Sequence, residues 1–271
     1  MPITERVDTP RTILSAVGPS GEGVCKFKCK YCFAAEPSYN PNSSTLSTDT
    51  IQVLRERVND YDVLMLSCDT ELFQNPHVAL NTLNELVTLG KDITFSTKMI
   101  LGPVILSRLS EIQKQLVNQG KILSISVSIP MIDKSKEIEI GVPSPTRRMD
   151  FLRTLKESGF YPYVGIRPVL PPSLVTNEEI GRIVEGTAEN SFGYIIGPYW
   201  FKEDKFQLLG DKSLPIFQRK VQWMEDDSLW YIYEDKPREQ EIAEIISQKG
   251  GTLYERSSEA LVTIKNIHFK K

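Results

Sequence analysis

Cysteine is scarce in this chain of 271 residues, with four in all, and histidine scarcer still, with two. Three of the cysteines crowd into eight residues. That crowding excludes a disulfide framework, because pairing within it leaves one thiol over and nothing else in the chain reads as secreted. No apolar run approaches 18 residues, so no membrane-spanning helix is expected. There is no charged start followed by an apolar core, so no secretory leader is expected either. Basic charge is also lacking: 32 Lys and Arg stand against 35 Asp and Glu, for a net charge of −3. Broad, sequence-independent nucleic-acid binding needs a cationic excess and is excluded, although a local basic groove is not. An ordinary soluble composition of this length can bury a sizeable core as one α/β domain. A reducing, cytoplasmic setting is the expectation.

What is present is Cys25-Lys-Phe-Lys-Cys29-Lys-Tyr-Cys32, a C-x3-C-x2-C run that follows Gly18, Gly21 and Gly23. Three thiolates so close in sequence can converge on one inorganic centre with little loop-closure cost. A [4Fe–4S] cluster takes four cysteine thiolates. Three ligands leave one iron uncovered, and an open metal position separates a reactive site from a sealed one. Zinc is the rival centre, with Cys68 or His77 as a fourth ligand, but the paired knuckles usual for zinc are missing. Otherwise His77, after Pro76 at a helix start, reads as a surface residue, and His268 carries no signal.

Along the chain a strand–helix unit repeats. Strands are expected at Thr12 to Val17, Val63 to Leu66, Ile93 to Thr97, Ile122 to Ile129, Tyr161 to Arg167 and Phe192 to Gly197. Helices are expected at Thr48 to Val58, Pro76 to Leu89, Pro103 to Gln119, Pro145 to Gly159 (capped by Ser144) and Asn177 to Glu185. Phe33 to Ser44 reads as a polar loop. Six strands alternating with helices imply parallel β/α units with right-handed crossovers, too few for a closed eight-stranded barrel and enough for an open one. In the fourth strand Leu123, Ile125, Val127 and Ile129 alternate with Ser124, Ser126 and Ser128. A parallel sheet covered on both sides should be apolar on both, so the serine row predicts a wet or ligand-filled interior. The cysteines follow the first strand and fall on the rim where such folds bind ligands. Residues 1–199 form this core. Residues 200–271 read as an extension of the same domain, packed on the barrel. It gathers Trp200, Trp223, Trp230, Tyr231 and Tyr233 as packing or as a substrate wall, a helix at Glu239 to Gln248, and a final strand at Leu261 to Ile267.

The cysteine spacing, with Tyr31 just before the last cysteine, resembles the signature of the radical SAM superfamily, and within it the spore photoproduct lyases and their relatives. Further short matches are Ser67-Cys68-Asp69-Thr70-Glu71 at one strand end, Ser96-Thr97-Lys98 at the next, Ser128, and the stretch from Glu139 to Arg148. The resemblance implies a partial (β/α)6 barrel with a C-terminal extension. Cys25, Cys29 and Cys32 would hold a [4Fe–4S] cluster whose open iron chelates S-adenosylmethionine, split by one electron to methionine and a 5′-deoxyadenosyl radical. It implies Thr70, Glu71, Lys98, Ser126 and Ser128 as cofactor-binding residues, and Cys68 as the donor that returns a hydrogen atom, with Tyr31 relaying it. Plainer roles stand beside these: Glu71 as a helix cap, Lys98 as a solvated lysine, the serines back-bonded, Cys68 as a small core residue, Tyr31 as packing.

Arg167 departs from the lyase pattern. It would clamp a substrate phosphate or carboxylate, or pair with a rim acid. Lys26, Lys28 and Lys30 would raise the potential of the centre, dock an electron donor such as flavodoxin or ferredoxin, or face solvent. The expected substrate is a nucleotide-like or other small anionic molecule. The alternatives are modification of a small metabolite or peptide and, from another class, a zinc-binding protein without redox chemistry.

Overall fold

Alternation, glycine stops and proline starts set the architecture. The computed structural model describes residues 15–19, 21, 25–36, 39, 51–210, 213–221 and 229–269. Its strands are β1 (Ser15–Val17), β2 (Lys28–Cys29), β3 (Val63–Leu66), β4 (Asp92–Thr97), β5 (Leu123–Ser128), β6 (Glu139–Ile140), β7 (Tyr161–Ile166), β8 (Tyr194–Ile196), β9 (Tyr199–Phe201), β10 (Ile216–Lys220), β11 (Leu229–Tyr233) and β12 (Leu253–Tyr254). Its helices are α1 (Ile51–Glu56), α2 (Pro76–Val87), α3 (Pro103–Asn118), α4 (Ser135–Ile138), α5 (Pro145–Glu157), α6 (Asn177–Thr187), α7 (Phe206–Leu209), α8 (Lys236–Gln248) and α9 (Ser257–Phe269).

The main sheet runs β1-β3-β4-β5-β7-β8-β12 with every pairing parallel. It curls into a half-barrel. The six strands expected from sequence are all in it, and β12 adds a seventh: two residues, Leu253 and Tyr254, too short to give a periodic signal. Residues 12–14 and 48–50, included in the expected first strand and first helix, lie outside the described residues. Ser144 caps α5 as expected, its hydroxyl accepting from Arg147 N at 3.4 Å with Pro145 in the first turn. Asn75, Thr176 and Asp235 cap α2, α6 and α8 in the same way. Beyond α2 and α3 the chain turns at Gly90 and Gly120, whose φ values of 64° and 67° suit a residue without Cβ.

The two faces of the sheet are covered differently. Leu64, Leu66, Ile93, Phe95, Leu123, Ile125, Val127, Val164 and Ile166 pack outward against the apolar stripes of α2, α3, α5, α6 and α8. On the inner face Val63, Met65, Tyr163, Ile195 and Tyr254 meet Ala260, Leu261 and Ile264 of α9. Lys265 ties α9 to the start of β4 by an ion pair to Asp92 of 2.9 Å.

One expectation is corrected here. Leu261 to Ile267 is helix, not strand. Its β-branched residues suggest a strand, but Ala260, Leu261 and Ile264 fall on one helical face, and burying that face in the concavity outweighs propensity. Behind the serine row Ser124 and Ser126 are buried, Ser124 Oγ donates to Tyr161 O at 2.7 Å, and α9 packs on the same face against Val63, Tyr163 and Ile195.

The three-stranded antiparallel sheet β10-β11-β9 joins the main core through Tyr199, Phe201 and Tyr233. Trp230 packs with Tyr39 and Val221 in a small core of its own, which Phe33 and Trp200 border. Trp230 and Tyr233 are buried packing residues, and Trp200 and Tyr231 are partly buried; Trp223 lies outside the described residues. Among the described residues no helix is long and apolar enough to cross a membrane.

Candidate active site

The candidate residues collect at the carboxyl ends of the parallel strands. From β1 the chain turns at Gly18, whose N–H donates to Met65 O at 2.9 Å. A Cβ at Gly21 would lie 2.0 Å from Glu71 O, so only glycine lets the cysteine loop press against the β3 turn there. Thr70 fastens the contact with a hydroxyl bond of 3.1 Å to Gly21 O.

Exposure alternates along the cysteine run, of which Lys28–Cys29 is strand. Lys26, Lys28 and Lys30 are exposed, while Cys29 and Tyr31 are buried and Phe27 partly so. The strand β2 pairs antiparallel with β6, Lys28 opposite Ile140 and Cys29 opposite Glu139, and Lys30 N donates to Ile138 O at 2.9 Å. A turn closed by Cys32 N to Cys29 O at 3.0 Å follows. Cys25, Cys29 and Cys32 are all free thiols. Burial pushes the Cys29 thiol up to about 11, against the nearby Lys98 charge, and burial raises Cys32 as well. Among the described residues no three His, Cys, Asp or Glu side chains converge on a point where they could hold one metal ion.

Behind this loop lies a buried network that the sequence reading did not single out. Glu139 accepts from the Tyr31 hydroxyl and, bidentately, from Arg148, and its Oε1 stands 3.3 Å from Lys98 Nζ. Arg148 is completely buried and also donates to Ser128 O at 2.5 Å. Lys98 Nζ donates to Ser128 Oγ at 2.5 Å and lies 5.5 Å from the Tyr31 ring centroid. Burial by itself would raise the Glu139 carboxyl, but the Lys98 and Arg148 cations outweigh it and hold the carboxyl below its usual range. The available signal was the stretch from Glu139 to Arg148, whose charged ends carry no periodic pattern that would place them inside.

At the end of β3, Ser67 adopts a left-handed φ of 60°, unusual for a residue with Cβ. Its hydroxyl donates to Thr70 O and accepts from Leu72 N, locking the turn that carries Cys68. Cys68 Sγ lies 3.9 Å from Met65 O. Burial, with Asp69 adding to it and Arg167 opposing, pushes this thiol up to about 12. Glu71 is buried and accepts from Thr97 Oγ1 at 2.8 Å, Lys98 N at 3.0 Å and Phe73 N at 3.3 Å, so it caps the short 3-10 turn Leu72–Gln74 and staples β3 to β4. Burial still raises its carboxyl against those three bonds. Across the mouth, Arg167 Nε donates to Ile196 O at 3.0 Å, and a Cβ on Gly197 would come within 2.9 Å of the same nitrogen. The Arg167 charge acts against the burial that raises both Cys68 and Tyr163.

The structure thus gathers Cys29, Tyr31, Lys98 and Ser128 around Glu139, joins Glu71 to the same lysine, and sets Cys68 within reach of the Arg167 field. Thr70 and Glu71 already serve the loop and the strand junction. Ser126 is buried one step below Ser128. His77 is exposed and contacts Asn81.

In class, this is a parallel β/α half-barrel with a three-cysteine loop on its carboxyl rim. Spore photoproduct lyase has the same fold, with a TM-score of 0.62 at 13% identity over 88% of this chain and 75% of that one. A form of that lyase with bound AdoMet and dinucleoside spore photoproduct matches at a TM-score of 0.60 and 14% identity, over the same shares of the two chains. Streptococcus suis SuiB bound to S-adenosylmethionine matches at 0.55 and 14% identity, over 90% of this chain and 51% of that one. No family model matches the sequence. Uncharacterized proteins of Mycobacterium tuberculosis and Mycobacterium bovis are 22% identical over 179 residues, 59% of this chain. The chain spans about half the length of these curated relatives.

Proposed function

We propose that the chain is a radical SAM enzyme. The observation that carries this reading is the position of C-x3-C-x2-C on the carboxyl rim of a half-barrel shared with spore photoproduct lyase and SuiB. Three sulfurs from one loop suit a cubic cluster, because each thiolate takes a different iron and need not converge as the ligands of one zinc ion must. When bound, a [4Fe–4S] cluster carrying S-adenosylmethionine supplies a 5′-deoxyadenosyl radical that abstracts hydrogen from the substrate.

The chain's own residues provide holding, orientation and exclusion of water. Cys25, Cys29 and Cys32 are the cluster ligands. Lys98, fixed by Glu139 and Ser128, supplies a point charge for the methionyl carboxylate, and Thr70, Glu71 and Ser128 on the rim, with Ser126 below them, are the further cofactor-binding residues. Cys68 is the hydrogen-atom donor. Its raised pKa keeps it an S–H thiol at neutral pH, the form that can give up a hydrogen atom, and the locked Ser67 turn fixes where it stands. Tyr31 is the candidate to pass that atom on, through a hydroxyl that Glu139 already holds. Arg167 favours an anionic substrate, and the dinucleoside bound by the lyase makes a nucleotide-like one the first to try.

The test is anaerobic reconstitution followed by iron and sulfide analysis, electron paramagnetic resonance, and assay of 5′-deoxyadenosine from S-adenosylmethionine with dithionite. Brown, iron-loaded protein that forms 5′-deoxyadenosine is expected. A colourless, iron-free preparation that retains zinc would overturn the reading.

A further inference from the structure

Just past the 3-10 turn Phe33–Ala35 the chain carries a buried carboxylate that the radical chemistry does not use. Glu36 is 4% exposed, and among the described residues neither of its oxygens accepts a hydrogen bond. Lys205 Nζ stands 3.2 Å from Oε1 but donates to Asp204 at 2.8 Å, so one ammonium is divided between two carboxylates. Against burial, the Lys205 bond holds the Asp204 carboxyl below its usual range, whereas burial lifts Glu36 to about 7. The buried Tyr199 hydroxyl also lacks a hydrogen-bond partner; burial, then the Glu36 and Asp204 charges, push it up. Glu36 faces a cleft of about 460 Å³ beside the sheet β10-β11-β9, lined also by Lys202, Glu203, Asp204, Leu229 and Tyr231. That size suits a small molecule. Lys202 donates to Leu229 O at 2.6 Å and stands 4.6 Å from the Trp230 ring centroid, and Glu203 accepts from the Tyr231 hydroxyl at 3.0 Å. The wall therefore sets three carboxylates against one ammonium that is already engaged, and its most buried carboxylate is the least satisfied. Among the described residues these carboxylates do not converge where they could hold one metal ion, which points to a cation borne on an organic chain. Leu229, 48% exposed, and the Tyr231 ring offer that chain an apolar wall.

We propose that this cleft binds an aliphatic ammonium, the charged end of an amine with a methylene stem. The ammonium supplies the counter-charge that Glu36 lacks, and the stem lies along Leu229 and Tyr231. A buried carboxylate with a shared partner is costly to keep ionised, and a cationic ligand offsets that cost. Free amines and lysine side chains share this chemistry. The site stands on its own geometry and does not depend on the radical SAM reading.

The test titrates the anaerobically reconstituted chain with 1,5-diaminopentane and, separately, with Nα-acetyl-lysine amide, by calorimetry at pH 7 in buffers of different ionisation enthalpy. Saturable binding that weakens with salt is expected. Glu36→Gln keeps the size of the side chain without its charge and should weaken binding roughly tenfold. Leu229→Ser leaves the charges in place and should weaken it about threefold, through loss of the stem contact. Because the bound ammonium favours the ionised carboxyl, about half a proton should leave Glu36 per amine bound at pH 7. The charged and titratable groups around Glu36 are Asp204, Lys205, Tyr199, Glu203 and Lys202, and loss of the release in Glu36→Gln separates its proton from theirs. Equal affinity in the native chain and Glu36→Gln would overturn the proposal, as would absence of binding by both amines. Mg²⁺ that binds in their place and is lost in Glu36→Gln would overturn it in favour of a metal ion. Tighter binding of the lysine amide marks a peptide side chain as the source and tighter binding of the diamine a free amine; either supports the cleft. These readouts need no turnover, so they hold whether or not 5′-deoxyadenosine forms.

Discussion

Glu139 is the residue on which the rim depends most. It neutralises a fully buried arginine, holds the Tyr31 hydroxyl and sits against Lys98. Glu139→Gln leaves Arg148 charged and buried without a carboxylate, a loss of about 3–5 kcal/mol. Urea unfolding should register it, and the same variant should raise the KM for S-adenosylmethionine by loosening Lys98. Cys68→Ala tests a different property. Formation of 5′-deoxyadenosine should persist while deuterium from solvent no longer enters the product; unchanged labelling would remove Cys68 from the mechanism. Glu36 gives a pH signature. Burial, with Asp204 beside it and Lys205 opposing, lifts its carboxyl from 4.5 to about 7. The folded chain then binds a proton that the unfolded chain has lost, so this group's contribution falls as pH rises from 4.5 to about 7. Glu36→Gln should melt close to wild type at pH 4.5 and several degrees higher by pH 7.5, as read by thermal unfolding across that range.

At the scale of the element, what sequence could and could not say divides by whether a periodic pattern existed. Val63–Leu66 and α5 from Pro145 are legible to the residue at one end or both, because an apolar run or a cap with proline marks them. The cysteine loop is legible as a motif and as a place on the rim. Glu139 and Arg148 are not, because a charged pair nine positions apart has no local sign of being buried. The strand β12 has two residues, and α9 carries a β-branched composition that only its packing overrules. That packing is open to test. Leu261 is wholly buried against the sheet, and Leu261→Ala should cost about 2–5 kcal/mol. Iron content should be unchanged in that variant, since the helix meets the inner face among Val63, Tyr163 and Ile195 rather than the cysteine loop.

For the whole molecule, α9 ties distant parts of the chain together. The Lys265–Asp92 pair joins positions 173 residues apart, and Ala260, Leu261 and Ile264 cover a face built largely from much earlier strands. Loop closure over that span comes at an entropic cost before any contact repays it, so this docking belongs to a late stage of folding. Until it happens, Val63 and Tyr163 present bare apolar surface, the kind of intermediate that self-associates. Refolding yield should therefore fall with protein concentration more steeply for Leu261→Ala than for the native chain. The helix that floors the half-barrel is thus also its folding checkpoint: strands assembled early stay adhesive until synthesis has passed residue 264.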